Sequence, residues 1–271
     1  MDHIHSLSSL DHPALQPYRT LRRQQEHTEQ GIFVAEGEKV VRRLLASGLP
    51  IISMLMTPEW NAQIFPVGVK HPPSGCEIFL AEKALMQSIV GFRMHQGIMA
   101  VARVPVPPNL EETSLPTPHL VVALDGLAHA ENVGVVVRNC AAFGVHAILV
   151  GENSCSPYLR RAVRNSMGAV FAMPVIHVPS LRQSLLQLRE RNSTRLIAAD
   201  AHTLHSLYSA NLQGSICIIL GNEDTGISAD VLSLEPERIT IPMQNNTDSL
   251  NVASASAVFL SEAARQRTHS R

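Results

Sequence analysis

Three polar loops in the second half of the chain gather the residues that could do chemistry. They are LDGLAHAENVGVVVRN (residues 124–139), LGNEDTGIS (220–228) and IPMQNNTDSLNVASA (241–255). Between them they offer the side-chain amides of Asn132 and Asn251, a carboxylate at Glu223, a guanidinium at Arg138 and a hydroxyl at Ser249. Such a set can grip a ligand and steer an oxygen, but it holds no evident nucleophile. A G-x-S-x-G elbow is missing, so a serine hydrolase has no support. There is no G-x-x-x-x-G-K-S/T phosphate loop, and no G-x-G-x-x-G follows the first strand of this half. Metal ligation finds no pattern either. Cys76, Cys140, Cys155 and Cys217 show no Cys-x-x-Cys spacing, so reduced thiols in the cytoplasm are expected and structural zinc is not. Of the 13 histidines, His3 and His5 pair up with His12 further on, but at a chain end and without ligand spacing.

The elements that must carry these loops are legible in the apolar pattern. HLVVALDG, VHAILVG, TRLIAAD, SICIILG and RITIPM read as continuous apolar strands, and NVGVVVRNCAAFG as a helix ending at Gly144. Each of the last three strands is expected to lead into a helical stretch. Apolar strands alternating with helices predict a parallel sheet covered on both faces, with its ligand site at the carboxyl ends of the strands. Upstream, GIFVAEG and GIMAVARV read as strands and EKVVRRLLASG as a helix capped at Gly48. Between the halves, PVPPNLEETSLPTPH holds five prolines and no periodicity. The expected domains are therefore a small α/β domain over 1–104, a stiff linker over 105–118 and a parallel α/β domain over 119–271.

At 271 residues and 45% hydrophobic content the chain can bury a core in each. No run approaches the roughly 18 apolar residues of a membrane span. The N-terminal segment lacks a basic region and an apolar stretch, so no secretory signal is expected; Asp2 and Asp11 also argue against a transit peptide. The net charge of −1 gives no support to nucleic-acid binding, but its distribution does. Arg160, Arg161, Arg164, Arg182, Arg189, Arg191 and Arg195 are opposed only by Glu190 in their stretch, while Arg19, Arg22 and Arg23 cluster upstream, as do Lys39, Arg42 and Arg43. These are either solvated helix faces or a surface that tracks phosphates.

The three loops together resemble the three motifs of the SpoU branch of the SPOUT methyltransferases. Asn132, Gly134 and Arg138 match the first motif; Gly221, Glu223 and Gly226 match the second; Ile241-Pro242-Met243 with Ser249-Leu250-Asn251 match the third. The resemblance covers most of the C-terminal half, and three motifs in order make it specific. Asn245 stands where the family usually has glycine; asparagine tolerates left-handed geometry best among the other residues. GIFVAEGEKVVRRLL and HQGIMAVARV more loosely resemble a substrate-binding domain seen in the same family.

The resemblance implies a deep trefoil knot in the C-terminal domain, one of the rare exceptions to unknotted topology. It explains why SLNVASASA carries no charge: the start of the last helix must slide beneath two other loops. Val252, Ala255, Phe259 and Ala263, flanked by Leu260, are the expected buried stripe. It further implies methyl transfer from S-adenosylmethionine to an RNA ribose 2′-hydroxyl, without metal, by a homodimer. The implied cofactor contacts are Leu220, Gly221, Asn222, Ile241, Met243, Ser249, Leu250 and Asn251, with Ala199 and Asp200 at the end of RLIAAD. The implied catalytic set is Asn132, Arg138, Glu223, Ser249 and Asn251, with Arg138 either a base or an anchor for phosphate and hydroxyl. Glu223 is expected either to order the loops through backbone amides, pairing with an Arg or Asn, or to touch substrate. Arg19, Arg22, Arg23, Arg160, Arg161 and Arg164 are the expected RNA contacts, the RNA being ribosomal or transfer RNA. The competing readings are a catalytically silent RNA-binding or assembly protein on the same fold, and methylation of a different acceptor.

Overall fold

The computed structural model describes residues 3–9, 12–66, 68, 71–91, 96–245 and 247–268, which fall into two units. The first runs to Val106 and includes Tyr158–Phe171. Its strands Ile4–Ser6 (β1), Ile32–Glu36 (β2), Ile51–Met56 (β3), Glu77–Leu80 (β4) and Ile98–Arg103 (β5) form a sheet in the order β1-β4-β3-β5-β2. β3 and β1 pair with β4 in parallel, while β5 pairs with β3 and β2 antiparallel. The helices are Gln16–Arg19 (α1), Gln24–Glu29 (α2), Glu38–Ser47 (α3), Pro58–Ile64 (α4) and Lys83–Val90 (α5). α3 buries Val40, Val41 and Leu44 and ends, as its sequence predicts, at Gly48 with φ +75°. Leu15, Tyr18, Phe79, Met86 and Met99 are buried in its core. The buried Tyr18 and Ser53 hydroxyls satisfy each other at 2.9 Å.

The second unit comprises Pro107–Pro157 and the chain after Phe171. Leu120–Asp125 (β6), Ala147–Val150 (β7), Val175–His177 (β8), Arg195–Ala199 (β9), Ile216–Gly221 (β10) and Glu237–Ile239 (β11) form a six-stranded sheet. Its order is β11-β9-β10-β6-β7-β8 and every pairing is parallel. β6 is buried along its whole length, which is why it reads as an unbroken apolar run rather than an alternating one. Progress along the sheet runs outward from β6 to β8, then reappears on the far side of β10. That reversal makes a switch point beside β6 and β10.

The covering helices are Ala130–Ala142 (α6), Leu181–Asn192 (α8), Ala229–Leu232 (α9) and Val252–Thr268 (α10), while Arg160–Asn165 (α7) belongs to the first unit. The sequence boundary misassigned that last segment: Tyr158–Phe171 lies between β7 and β8 in the chain but packs with the first unit. Arg160 donates to Glu36 of β2 at 2.6 Å, and Arg43 of α3 donates to the Met167 carbonyl at 2.7 Å. The proline-rich stretch is likewise not a free linker from residue 107 on. Leu110 and Leu115 pack against the core of the second unit, and Glu111 accepts from Gln187 and Arg191 of α8. A third difference follows β9, where no helix forms; residues 200–215 cross to β10 as irregular chain.

α10 packs on α6, and small residues let it do so. The buried positions are Ala253, Ser256, Phe259, Leu260 and Ala263. Val252 and Ala255, expected in the buried stripe, are only partly covered because they face a cavity instead.

Candidate active site

β9 ends at Ala199, β10 at Gly221, and β11 leads into Ile241; these three carboxyl ends open onto a cavity of about 460 Å³. Ala199, Asp200, Leu220, Gly221, Asn222, Ile241, Met243, Ser249, Leu250 and Asn251 all line it. So do Val252, Ala255 and Phe259 of α10.

Backbone geometry explains why the second loop is built as it is. A methyl group on Gly221 would lie 2.4 Å from the Gly226 carbonyl carbon and 2.5 Å from the Ile227 nitrogen, so only glycine fits. The Gly226 φ of +72° closes a tight turn in which Asn222 and Gly226 exchange backbone hydrogen bonds at 2.9 and 3.0 Å. Asn222 Oδ1 accepts from the amides of Asp224 and Thr225, and its Nδ2 donates to the Gly126 carbonyl at 2.6 Å. Asp125, buried at the end of β6, accepts from the Ser228 amide at 2.7 Å. The first and second loops are thereby joined along their length. In the third, Asn245 adopts φ +55°, the left-handed geometry that a glycine would otherwise supply.

A polar relay then ties all three loops together. Glu223 accepts from the backbone amides of Ala128 and His129 at 3.2 and 3.4 Å and from Asn132 Nδ2 at 2.9 Å. Asn132 Oδ1 in turn accepts from Asn251 Nδ2 at 3.1 Å, and Asn251 Oδ1 caps the Ala253 amide at 2.9 Å. Burial pushes the Glu223 carboxyl up, but the Asn132 hydrogen bond and the backbone amides outweigh it and hold the group below the ordinary carboxylate range. Glu223 is thus bound by amides, with no arginine partner among the described residues. The Asn132 amide group is engaged at both ends.

Arg138 stands apart. It lies six residues beyond Asn132 on α6, is exposed, and makes no hydrogen bond or ion pair with the described residues. It does not line the cavity. Glu223, Ser249 and Asn251 do, and Asn132 touches two of them.

Several cavity residues escaped the sequence reading. Arg238 donates from Nε to Asp200 Oδ2 at 2.6 Å, and the His202 amide donates to Asp200 Oδ1 at 2.8 Å. Burial raises the Asp200 carboxyl, yet Arg238 and the His202 amide win and leave it lowered. Arg238, His202, Asp224, Thr225 and Thr240 all line the cavity. A half-buried acid at the end of an apolar strand was the one signal that a cation had to come from elsewhere.

The six arginines expected to contact RNA, Arg19, Arg22, Arg23, Arg160, Arg161 and Arg164, all fall in the first unit. Arg160 pairs with Glu36, with 16% and 11% of the two side chains exposed. Arg164 lies 3.6 Å from the same carboxylate but is half exposed, and Arg23 pairs with Glu26 in the open. The later arginines serve the second unit's own architecture: Arg182, Arg189 and Arg195 donate to Ser233, to the Leu234 carbonyl and to the Asn211 carbonyl. Among the described residues no group of three or more His, Cys, Asp or Glu is arranged to hold a metal, and no helix is long and apolar enough to cross a membrane.

A parallel α/β unit with a cavity at the carboxyl ends of β9, β10 and β11, lined by the second and third loops and tied to the first by the Glu223–Asn132–Asn251 relay, defines a small-ligand site. Residues 119–261 match the SpoU rRNA methylase family, and the chain belongs to that family. An uncharacterised tRNA/rRNA methyltransferase of Mycobacterium tuberculosis is 32% identical over 270 residues, covering 96% of this chain and 91% of the relative. A solved RNA 2′-O ribose methyltransferase aligns with a TM-score of 0.78 at 26% identity, over 97% of this chain and all of that one. The SpoU methyltransferase AviRb of Streptomyces viridochromogenes shares the fold, with a TM-score of 0.82 at 23% identity over 96% of this chain and 99% of that one. AviRb has also been solved in complex with AdoMet.

Proposed function

We propose that this chain transfers a methyl group from S-adenosylmethionine to a ribose 2′-hydroxyl of ribosomal or transfer RNA. The observation that carries the proposal is the cavity at the ends of β9, β10 and β11, closed by the Glu223–Asn132–Asn251 relay. Its volume of about 460 Å³ suits one small cofactor. Leu220, Ile241 and Leu250 offer apolar walls for a purine, while loop amides and carbonyls meet polar ends. When bound, the cofactor supplies an electrophilic methyl on sulfur.

The protein must then hold the acceptor oxygen in line and manage its proton. Arg138 serves as an anchor. A guanidinium stays protonated at neutral pH, so using it as a base is expensive. Fixing an RNA phosphate beside the reacting hydroxyl costs far less and uses the planar fork. Its place outside the cavity wall favours that division, since a sulfonium repels a guanidinium. Asn132 orients the loops rather than the ribose, because both ends of its amide are occupied. Ser249, exposed in the third loop, is left to meet the ribose.

The same reading includes a knotted chain end, a homodimer formed through the second unit, a cytoplasmic enzyme, and a first unit whose exposed arginines contact the RNA. Support for the knot is local: the third loop and the start of α10 share one cavity wall with the second loop, while α10 itself packs on α6 and β10. Calorimetry tests the proposal. One cofactor per chain should bind, unaffected by a chelator, and labelled methyl should pass to RNA. Folded protein that binds none would sink it.

A further inference from the structure

α6 and α10 are joined at a second point that none of the three sequence motifs includes. Asn139 follows Arg138 and lies seven residues beyond Asn132, about two turns along the same face of α6. Its Nδ2 donates to the Ala253 carbonyl at 3.0 Å and to Ser256 Oγ at 2.9 Å. Ser256 is fully buried and donates from its hydroxyl to the Ala253 carbonyl at 2.7 Å. The residue just before this clasp, Asn251, is the one that answers Asn132. The first turn of α10 is therefore held by α6 from both ends, through Asn132 above and Asn139 below, with Arg138 next to the lower clamp.

We infer that Asn139, acting with Ser256, is a positioning residue that sets Arg138 relative to the Ser249–Asn251 loop. The inference rests on the proposed role of Arg138. A partly buried amide between two helices is a costly device unless both donors are used, and here one nitrogen serves two acceptors on the helix that begins at the cavity. An aliphatic side chain would pack the seam as well but would leave it free to slide. Neither Asn139 nor Ser256 lines the cavity, so the clasp makes no direct contact with the cofactor and acts through the turn it holds.

The test uses the full-length protein and Asn139→Ala, assayed well below its melting temperature. Methyl transfer at saturating cofactor and RNA should slow between about ten- and a hundred-fold, the scale of an ångström-level misplacement. Cofactor affinity should stay within a few fold, and backbone amides of Ala253–Ser256 should exchange hydrogen faster. Ser256→Ala, a smaller lesion, should move the same readings in the same direction by less, and it stands in if Asn139→Ala does not fold. Unchanged turnover with a lowered melting temperature alone would show a merely structural clasp and overturn the inference. Loss of cofactor binding would overturn it too, by placing Asn139 with the donor cavity. If the wild-type chain transfers no methyl group, the proposed function falls. The exchange measurement then still decides the clasp, and unaltered exchange in Asn139→Ala refutes it.

Discussion

Replacing Gly221 by alanine strikes the cavity at the point where the chain has least room. The added carbon would sit 2.4, 2.5 and 2.6 Å from the Gly226 carbon, the Ile227 nitrogen and the Gly226 oxygen. All three are backbone atoms, so no side chain can swing away. Relief requires the 222–226 turn to shift, against the paired Asn222–Gly226 hydrogen bonds and the three acceptances that Asn222 Oδ1 makes. Overpacking of this kind typically costs about 1–3 kcal/mol, and a backbone clash belongs at the upper end. If that cost falls on the bound geometry, cofactor affinity drops by about thirty- to a hundred-and-fifty-fold, at about 1.4 kcal/mol per decade. Calorimetry on wild type and Gly221→Ala, with circular dichroism to confirm folding, measures it directly. A folded variant that binds within twofold of wild type would refute the claim that this turn grips the ligand.

Three further outcomes are expected. Arg138→Ala should abolish methyl transfer while leaving cofactor affinity within a few fold, and Arg138→Lys should also be largely inactive because an ammonium lacks the planar fork; near-normal turnover in the lysine variant would contradict the anchor role. The Glu223 carboxyl is held below its ordinary value, so the stability it contributes is present above the unfolded pKa and is lost as pH falls through the folded one. Melting temperatures of wild type and Glu223→Gln should therefore differ most near neutrality and converge only as the pH falls below the ordinary carboxylate range, and a gap that widens in acid would invert the argument. Light scattering on the order of tens of micromolar should return twice the chain mass, and a monomer there would remove the proposed dimer.

What the sequence revealed depended on whether the information was local. β6, β7, β9 and β10 are unbroken apolar runs because both faces of the sheet are covered, and they were legible for that reason. β1 and β8, three residues each, carry too little pattern to stand out. Glycines and an asparagine at positive φ marked the turns well: Gly48, Gly226 and Asn245 all sit in left-handed geometry. Long-range partners were invisible. Nothing in the spacing announces that Arg238 will neutralise Asp200, or that Arg160 will leave the second unit's stretch of chain to pair with Glu36. In the uncharged start of α10, Ala253 and Ser256 are buried, while Ser249, Leu250, Asn251 and Ser254 are exposed. Phe259, Leu260 and Ala263 are buried as expected, whereas Ala253 and Ser256 replace Val252 and Ala255, which face the cavity.

The central claim is that a methyl group moves from the cofactor held in this cavity to a ribose 2′-oxygen. Incubating the chain with methyl-labelled S-adenosylmethionine and total RNA, followed by complete alkaline hydrolysis, tests it most directly, because a 2′-O-methyl blocks cleavage of its own linkage. Label recovered in alkali-resistant dinucleotides, and lost in Arg138→Ala, is the predicted result; label confined to mononucleotides would place the methyl on a base and contradict the account.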